Sequence, residues 1–322
     1  MRDPRKDEFV ASNRYLKSFA GRSALLRAHG PRPKIRINRT SGETNAVFIV
    51  GSGRSGTTLL RRLLMENGDI YIPPETYVLG PTLQGARKLL RCEWEDLVSY
   101  VAGRFEYEPE FYHFQIDSLR KFALEQRSAG TDRRSVESLL DDLYRHFGRE
   151  EGCDRYFWGD KTPYNTFFLS EIATVFPDAK FIGMQRNGCD VVVSYVKAGI
   201  YEDYEAAANR WIKSNLLLER FRKKNAHQLM LLRYEDLIAE PDMQLDKVFA
   251  FTGIPRTRVS EESNAPQATL HDAHTLPHLQ KSLAPVDAKN SGKGVRILRK
   301  DASAKLRGLM NPWLKKLGYE EI

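Results

Sequence analysis

The hydrophobic pattern of this chain switches repeatedly between two periods. Residues 46–50 (AVFIV) form an unbroken apolar run, the pattern of a strand buried on both faces. A glycine-rich turn follows, and then residues 57–67, where Leu59, Leu60, Leu63 and Leu64 recur at helical spacing. Gly68 and the Pro73-Pro74 pair end that helix. The alternation returns downstream. Residues 156–158 (YFW) predict a strand and 165–176 a helix; 180–184 (KFIGM) predict a strand, with a helix opening at Gly188. Residues 205–224 predict a long helix and 228–232 another strand, before a helix that closes at Phe249 and Phe251 and is capped by Gly253. Between the two halves, 85–150 reads as mainly helical. Its segment 135–147 carries Val136, Leu139, Leu140, Leu143 and Phe147 on one side, and 93–105 has similar spacing. Pro266, Pro277, Pro285, Gly292 and Gly294 make 256–300 read as irregular, and an amphipathic helix from about 302 to 317 ends the chain. Strands alternating with helices predict an α/β fold, a three-layer parallel sheet flanked by helices. Residues 80–150 are expected to be a helical insertion capping the active site.

Composition adds bounds. The 322 residues are 41% hydrophobic and 29% charged, an ordinary globular balance, and long enough for one large α/β domain. The net charge of +8 is concentrated in residues 1–43, which hold eleven Lys/Arg and four acids. The chain therefore divides into a basic N-terminal arm, 1–44, and a main domain, 45–322. Aromatic residues are not interleaved with the arm's cations in a stacking pattern, so no nucleic-acid partner is expected; the arm can steer an anionic acceptor. Cys92, Cys153 and Cys189 lie far apart with no Cys-x-x-Cys pair, against a disulfide framework or a structural zinc site. No apolar run approaches a membrane span or a secretory segment, so the expected location is cytoplasmic. Nothing in the pattern specifies an oligomeric state.

The strongest chemical signal is Val50-Gly-Ser-Gly-Arg-Ser-Gly-Thr-Thr-Leu59. Gly51 and Gly56 are five apart, two hydroxyl residues follow, and the segment joins a buried strand to a helix. That is the spacing and context of a phosphate-binding P-loop, with Thr57 where the lysine would stand. Glycines let backbone N–H groups turn inward, and the helix start adds about half a positive charge. Without the lysine, ordinary ATP or GTP hydrolysis is disfavoured; Arg54 brings positive charge from another direction. The run from Arg54 to Leu59 resembles the 5′-phosphosulfate loop of sulfotransferases. The resemblance implies 3′-phosphoadenosine 5′-phosphosulfate (PAPS) as donor, held by Gly53, Arg54, Ser55, Gly56, Thr57 and Thr58.

A second anchor must then grip the 3′-phosphate. The stretch from Phe181 to Tyr195 resembles the family's strand–Arg–turn–helix element, which implies that Arg186 and Ser194, eight residues apart, clamp that group. Leu232-Arg-Tyr-Glu-Asp-Leu237 resembles a family segment placing Tyr234 near the nucleotide. Ser291-Gly-Lys-Gly294 resembles the loop closing over the phosphates, which implies a contact from Lys293, although Val295 stands near where the family commonly has Trp. Residues 313–319 resemble the family's final helix.

Sulfuryl transfer needs a base on the acceptor hydroxyl and cations on the leaving group. Glu75 ends the segment Pro73-Pro-Glu, whose prolines fix the backbone and aim the carboxylate. The Glu-Thr pair at this position resembles tyrosylprotein sulfotransferases and their bacterial relatives, which implies Glu75 as catalytic base. Lys161, in Gly159-Asp-Lys-Thr-Pro163 beyond the expected strand end, matches the family's Lys-x-Pro segment; the resemblance gives it the donor's bridging oxygen, and gives Arg54 the sulfonate in transit. Asp160 reads as a turn-forming residue. His271, His274 and His278 are spaced like ligands, but Pro277 breaks the helix they would need, and no metal is expected. The expected function is sulfation of a hydroxyl on a carbohydrate, glycolipid or small molecule. Protein-tyrosine sulfation, a degenerate P-loop kinase and a nucleotide-binding pseudoenzyme are the alternatives. Residues 80–150, 199–205 and 265–290 are expected to flank the cleft and set acceptor choice.

Overall fold

The apolar run at 46–50 becomes a central strand because its alternate side chains enter two different cores. Ala46, Phe48 and Val50 pack with Trp158, Phe176 and Phe181, whereas Val47 and Ile49 pack with Leu60, Leu64, Ile182 and Val248. Phe48 meets the Phe181, Phe176 and Trp158 rings at centroid distances of 5.3, 5.7 and 5.8 Å. In the computed structural model, which describes residues 34–257 and 291–322, this strand is β1 (Ala46–Gly51). Among the described residues it joins β2 (Ile70–Tyr71), β3 (Phe157–Lys161), β4 (Lys180–Gln185) and β5 (Leu229–Arg233) in one parallel sheet of order β2-β3-β1-β4-β5.

This order has a functional consequence. After β1 the chain runs to one side for β2 and β3, then crosses to the other for β4 and β5. The reversal makes β1 a topological switch point, and parallel sheets open a ligand crevice at the carboxyl ends of such strands. All the strands are parallel, so the residues following β1, β3, β4 and β5 emerge along one edge.

Helix α1 (Thr57–Asn67) covers one face of the sheet. The other face is covered by α2 (Leu79–Ala86), α3 (Trp94–Glu106), α4 (Arg120–Arg127) and α5 (Val136–Glu150), which bury Leu83, Val98, Phe105, Phe122, Leu140 and Phe147 in the core that holds Phe48. Residues 80–150 thus form a helical layer that shares the core of this face, with α5 packing on β3. After β3, Pro163–Phe168 forms a 3-10 turn and only Leu169–Val175 is α-helix (α6), a shorter helix than the apolar spacing predicts because Pro163 starts the turn at its first position. Helices α7 (Gly188–Lys197) and α8 (Tyr204–Lys224) flank β4 and β5, and α9 (Tyr234–Ala239) and α10 (Pro241–Thr252) follow β5.

The C-terminal region differs from its expected form. Residues 293–301, read as irregular, are helix α11 (Lys293–Asp301), followed by α12 (Ala304–Lys316). Leu298, Leu306, Met310 and Leu314 bury against Val192 and Trp211 in a third core. Residues 34–44, counted with the basic arm, pack on the domain: Ile35 is buried, and Arg39 pairs with Glu137 and Asp141. His271, His274 and His278, the 265–290 segment and most of the arm lie outside the described residues. No described helix is long and apolar enough to cross a membrane.

Candidate active site

Each strand end delivers one part of the site. The loop after β1 turns through two left-handed residues, Arg54 at φ 65° and Gly56 at φ 87°. Gly56 is required twice over. A Cβ there would be strained by the backbone and would lie 2.3 Å from the Tyr234 ring. Arg54 is an L-residue held in the same left-handed region, a conformation uncommon outside glycine. Thr57 and Thr58 open α1 and are buried, as is Ser55, whose Oγ has no hydrogen-bond partner among the described residues.

Arg54 Nε donates to Ser194 Oγ at 3.0 Å, and Arg186 Nη1 donates to the Arg54 carbonyl at 3.1 Å. Arg186 also lies over the Tyr234 ring, 4.1 Å from its centroid. The β1 loop and the Arg186 and Ser194 expected from the sequence thereby meet in a single cluster with Tyr234 and Gly56. Burial, together with the like charge of Arg186, lowers the pKa of Arg54, while Tyr195 and Glu75 act in the opposite sense. Two arginines gathered at one loop concentrate positive charge of the kind that suits an anion. Tyr195 braces the loop from α7, its hydroxyl 3.1 Å from Ser52 Oγ.

Glu75 and Lys161 form the second cluster. Lys161 Nζ donates to Glu75 Oε1 at 2.5 Å, with the lysine side chain fully buried and the carboxylate 15% exposed. Lys161 is the last residue of β3 rather than a residue beyond it, since the strand continues through Gly159 and Asp160 alongside Phe48 and Ile49. Asp160 is therefore no turn former. It is a buried strand carboxylate accepting from Tyr144 OH, Thr76 Oγ1 and Asn165 Nδ2. Because β3 pairs in parallel with β1, the Lys161 end of this cluster lies at the same sheet edge from which the Arg54 loop emerges.

Lys293 is the first residue of α11, and its neighbours tie that helix to the donor-side cluster. The Gly292 and Gly294 N–H groups donate to Asp190 at 2.7 and 2.5 Å, and Asp190 lies 4.0 Å from Arg186. The sequence pattern gave no separate role to Tyr195, Asp190 or the buried Arg61, whose Nε holds the Ile72 carbonyl at 2.9 Å just ahead of the Pro73-Pro74 segment. Their partners are distant in sequence; the one local hint is an arginine among the leucines of α1. Among the described residues, no group of three His, Cys, Asp or Glu side chains is placed to hold a metal.

Comparison with known proteins agrees with this geometry. A family model described as the Sulfotransferase family matches residues 46–258. Protein-tyrosine sulfotransferase of Drosophila melanogaster is 24% identical over 227 residues, covering 68% of this chain and 40% of that protein. Protein-tyrosine sulfotransferase A of Caenorhabditis elegans is 21% identical over 291 residues, covering 88% of this chain and 68% of that protein. Among solved structures, the sulfotransferase domain from the Synechococcus PCC 7002 olefin synthase has the same fold, with a TM-score of 0.58 at 20% identity over 88% of this chain and 98% of that one. With its parallel sheet, its β1 loop and more than half its length matched, the chain belongs to the sulfotransferase family.

Proposed function

We propose that the protein transfers a sulfuryl group from PAPS to a hydroxyl-bearing acceptor, with Glu75 as general base. The observation that carries this reading is a two-arginine cluster at the β1 loop together with a buried Lys–carboxylate pair at the end of the neighbouring strand β3. The residues present fit the donor: the β1 loop holds a buried hydroxyl, Ser55 Oγ, with no protein partner among the described residues, and the same loop carries Arg54. PAPS, when bound, supplies the sulfuryl group and a bisphosphate that leaves.

In this reading Gly53, Ser55, Gly56, Thr57 and Thr58 present N–H and O–H donors to the 5′ end, while Arg186 and Ser194 hold the 3′-phosphate. Tyr234 supports the Arg186 plane, and Lys293 reaches in from the start of α11. Arg54, which interacts electrostatically with both Arg186 and Glu75, stabilises negative charge passing between acceptor and leaving group. Glu75 takes the acceptor's hydroxyl proton. Lys161 holds that carboxylate through its ammonium and, in this reading, neutralises charge on the departing oxygen.

A carbohydrate, glycolipid or small-molecule hydroxyl is the acceptor we favour. Tyrosine in a polypeptide is the second reading, suggested by the names of the Drosophila and Caenorhabditis relatives. The test is an acceptor panel with labelled PAPS: 4-nitrophenol, a chitin oligosaccharide, a long-chain alcohol and a tyrosine peptide. Glu75→Gln is run beside wild type. We expect label on at least one hydroxyl acceptor, a loss of about 10²–10⁴ in turnover in the variant, and retained affinity for adenosine 3′,5′-bisphosphate (PAP). Undiminished turnover by Glu75→Gln contradicts the base assignment.

A further inference from the structure

We infer that Asp160 is a positioning residue for Glu75, acting through the hydroxyl of Thr76; the inference rests on the reading of Glu75 as base. Asp160 and Lys161 are consecutive in β3, so their side chains leave the strand on opposite faces. Asp160 pairs in register with Phe48 and Lys161 with Ile49, which belong to the two different cores. Glu75 and Thr76 are also consecutive, and they match this pair crosswise. Glu75 takes Lys161 at 2.5 Å, and Thr76 Oγ1 donates to Asp160 Oδ2 at 2.8 Å. A third bond closes the clamp, from the Thr76 N–H to Thr162 Oγ1 at 3.0 Å. The segment bearing Glu75 is thus fastened at the strand end on both sides of the lysine.

The anchor itself is fixed independently. Tyr144 OH, reaching in from α5, donates to the same Oδ2 at 2.5 Å, and Asn165 Nδ2 donates to Oδ1 at 2.9 Å. Tyr144 stacks on Trp158, centroids 4.2 Å apart, so its hydroxyl has little freedom. A fully buried carboxylate on a rigid central strand is costly to keep unless its donors are all in place. What the network holds is an otherwise unfavourable turn. Tyr77, directly after Thr76, sits at φ 53°, and the Val78 N–H closes back on the Thr76 carbonyl at 2.5 Å. Without the Thr76 hydroxyl bond the turn can relax, and the Glu75 carboxylate moves away from Lys161. Misplacing a catalytic group by about 1 Å costs on the order of 10²-fold in rate.

Thr76→Val keeps the shape of the side chain and removes its hydroxyl; Thr76→Ser restores it. Both are compared with wild type and Glu75→Gln by crystallography, by PAP affinity, and by turnover on whichever panel acceptor wild type sulfates. Thr76→Val is expected to lose the Glu75–Lys161 contact in the crystal and to lower kcat by about 10- to 100-fold, with PAP affinity unchanged within about twofold. Thr76→Ser is expected to recover both contact and turnover, an outcome that a general loss of folding does not produce. Asp160→Asn, which Tyr144 and Thr76 can still reach at reduced strength, should fall between them. The inference is overturned if the Thr76→Val crystal retains the Glu75–Lys161 contact, if Thr76→Ser fails to rescue, or if PAP affinity drops in step with kcat. A fully active Glu75→Gln instead removes the base reading, and the crystal arm still decides whether Thr76 holds the contact.

Discussion

Arg54 concentrates the strain of the site in one residue: a left-handed backbone, a desolvated guanidinium and a like-charged neighbour in Arg186. Arg186 holds it by donating to its carbonyl while lying flat over Tyr234. Both contacts depend on a planar fork, which a lysine lacks. Arg186→Lys is therefore expected to weaken PAP binding by about 10- to 100-fold, the range of a charge-assisted bond, as read by calorimetry; wild-type affinity in this variant contradicts the account. At this scale the sequence was legible wherever the chemistry is local. Arg54 is announced by its glycines, Arg186 by the strand before it, and Glu75 by its prolines. Asp160 and Arg61 were illegible because their meaning lies in partners that no local pattern names. Asp160 depends on Thr76 and Tyr144, and Arg61 on the Ile72 carbonyl.

Among the elements, α11 shows how one glycine sets a helix in place. A Cβ on Gly294 would lie 2.3 Å from the Cys189 carbonyl oxygen, a backbone atom that cannot give way, whereas one on Gly292 would meet nothing within 4 Å. Gly294→Ala is expected to push α11 off α7, lower stability by about 1–3 kcal/mol and weaken PAP binding through Lys293. Gly292→Ala, at φ 81°, carries backbone strain but no such displacement, so PAP affinity in it should stay near wild type. Equal affinity losses in the two variants argue against this role for α11. The helix went unread because the prolines and glycines before it extend the irregular pattern up to its first turn. Helix α5 carries a separate, pH-dependent term. His146 is buried against Phe122, with ring centroids 5.3 Å apart, and burial lowers its pKa despite the opposing pull of Glu150. The unfolded chain therefore takes up a proton near pH 6.5, where the folded one does not. This contribution to stability is complete above about pH 6.5 and is lost as pH falls towards the folded value. A Tm series over pH 5–8 should show a shallower acid decline for His146→Gln than for wild type; parallel curves contradict the assignment.

For the molecule as a whole, the sheet explains why residues from 54 to 293 converge. Parallel strands around β1 bring four chain segments to one edge, and the switch of direction at β1 opens the crevice there. The fold class was readable because buried parallel strands are short apolar runs separated by helices. The strand order was not readable. Ile70–Tyr71 is a two-residue strand with no periodicity of its own, and the layer role of 80–150 emerges only from shared burial with Phe48 and Trp158. The family follows from the matched domain. The account's central claim is that Arg54, Arg186 and Ser194 build a pocket for a nucleotide carrying a 3′-phosphate. Its most direct test is calorimetric titration of the wild-type protein with PAP and with ADP under identical salt. The account predicts PAP binding tighter than ADP by at least about tenfold; ADP binding as tightly as PAP, or more tightly, would contradict it.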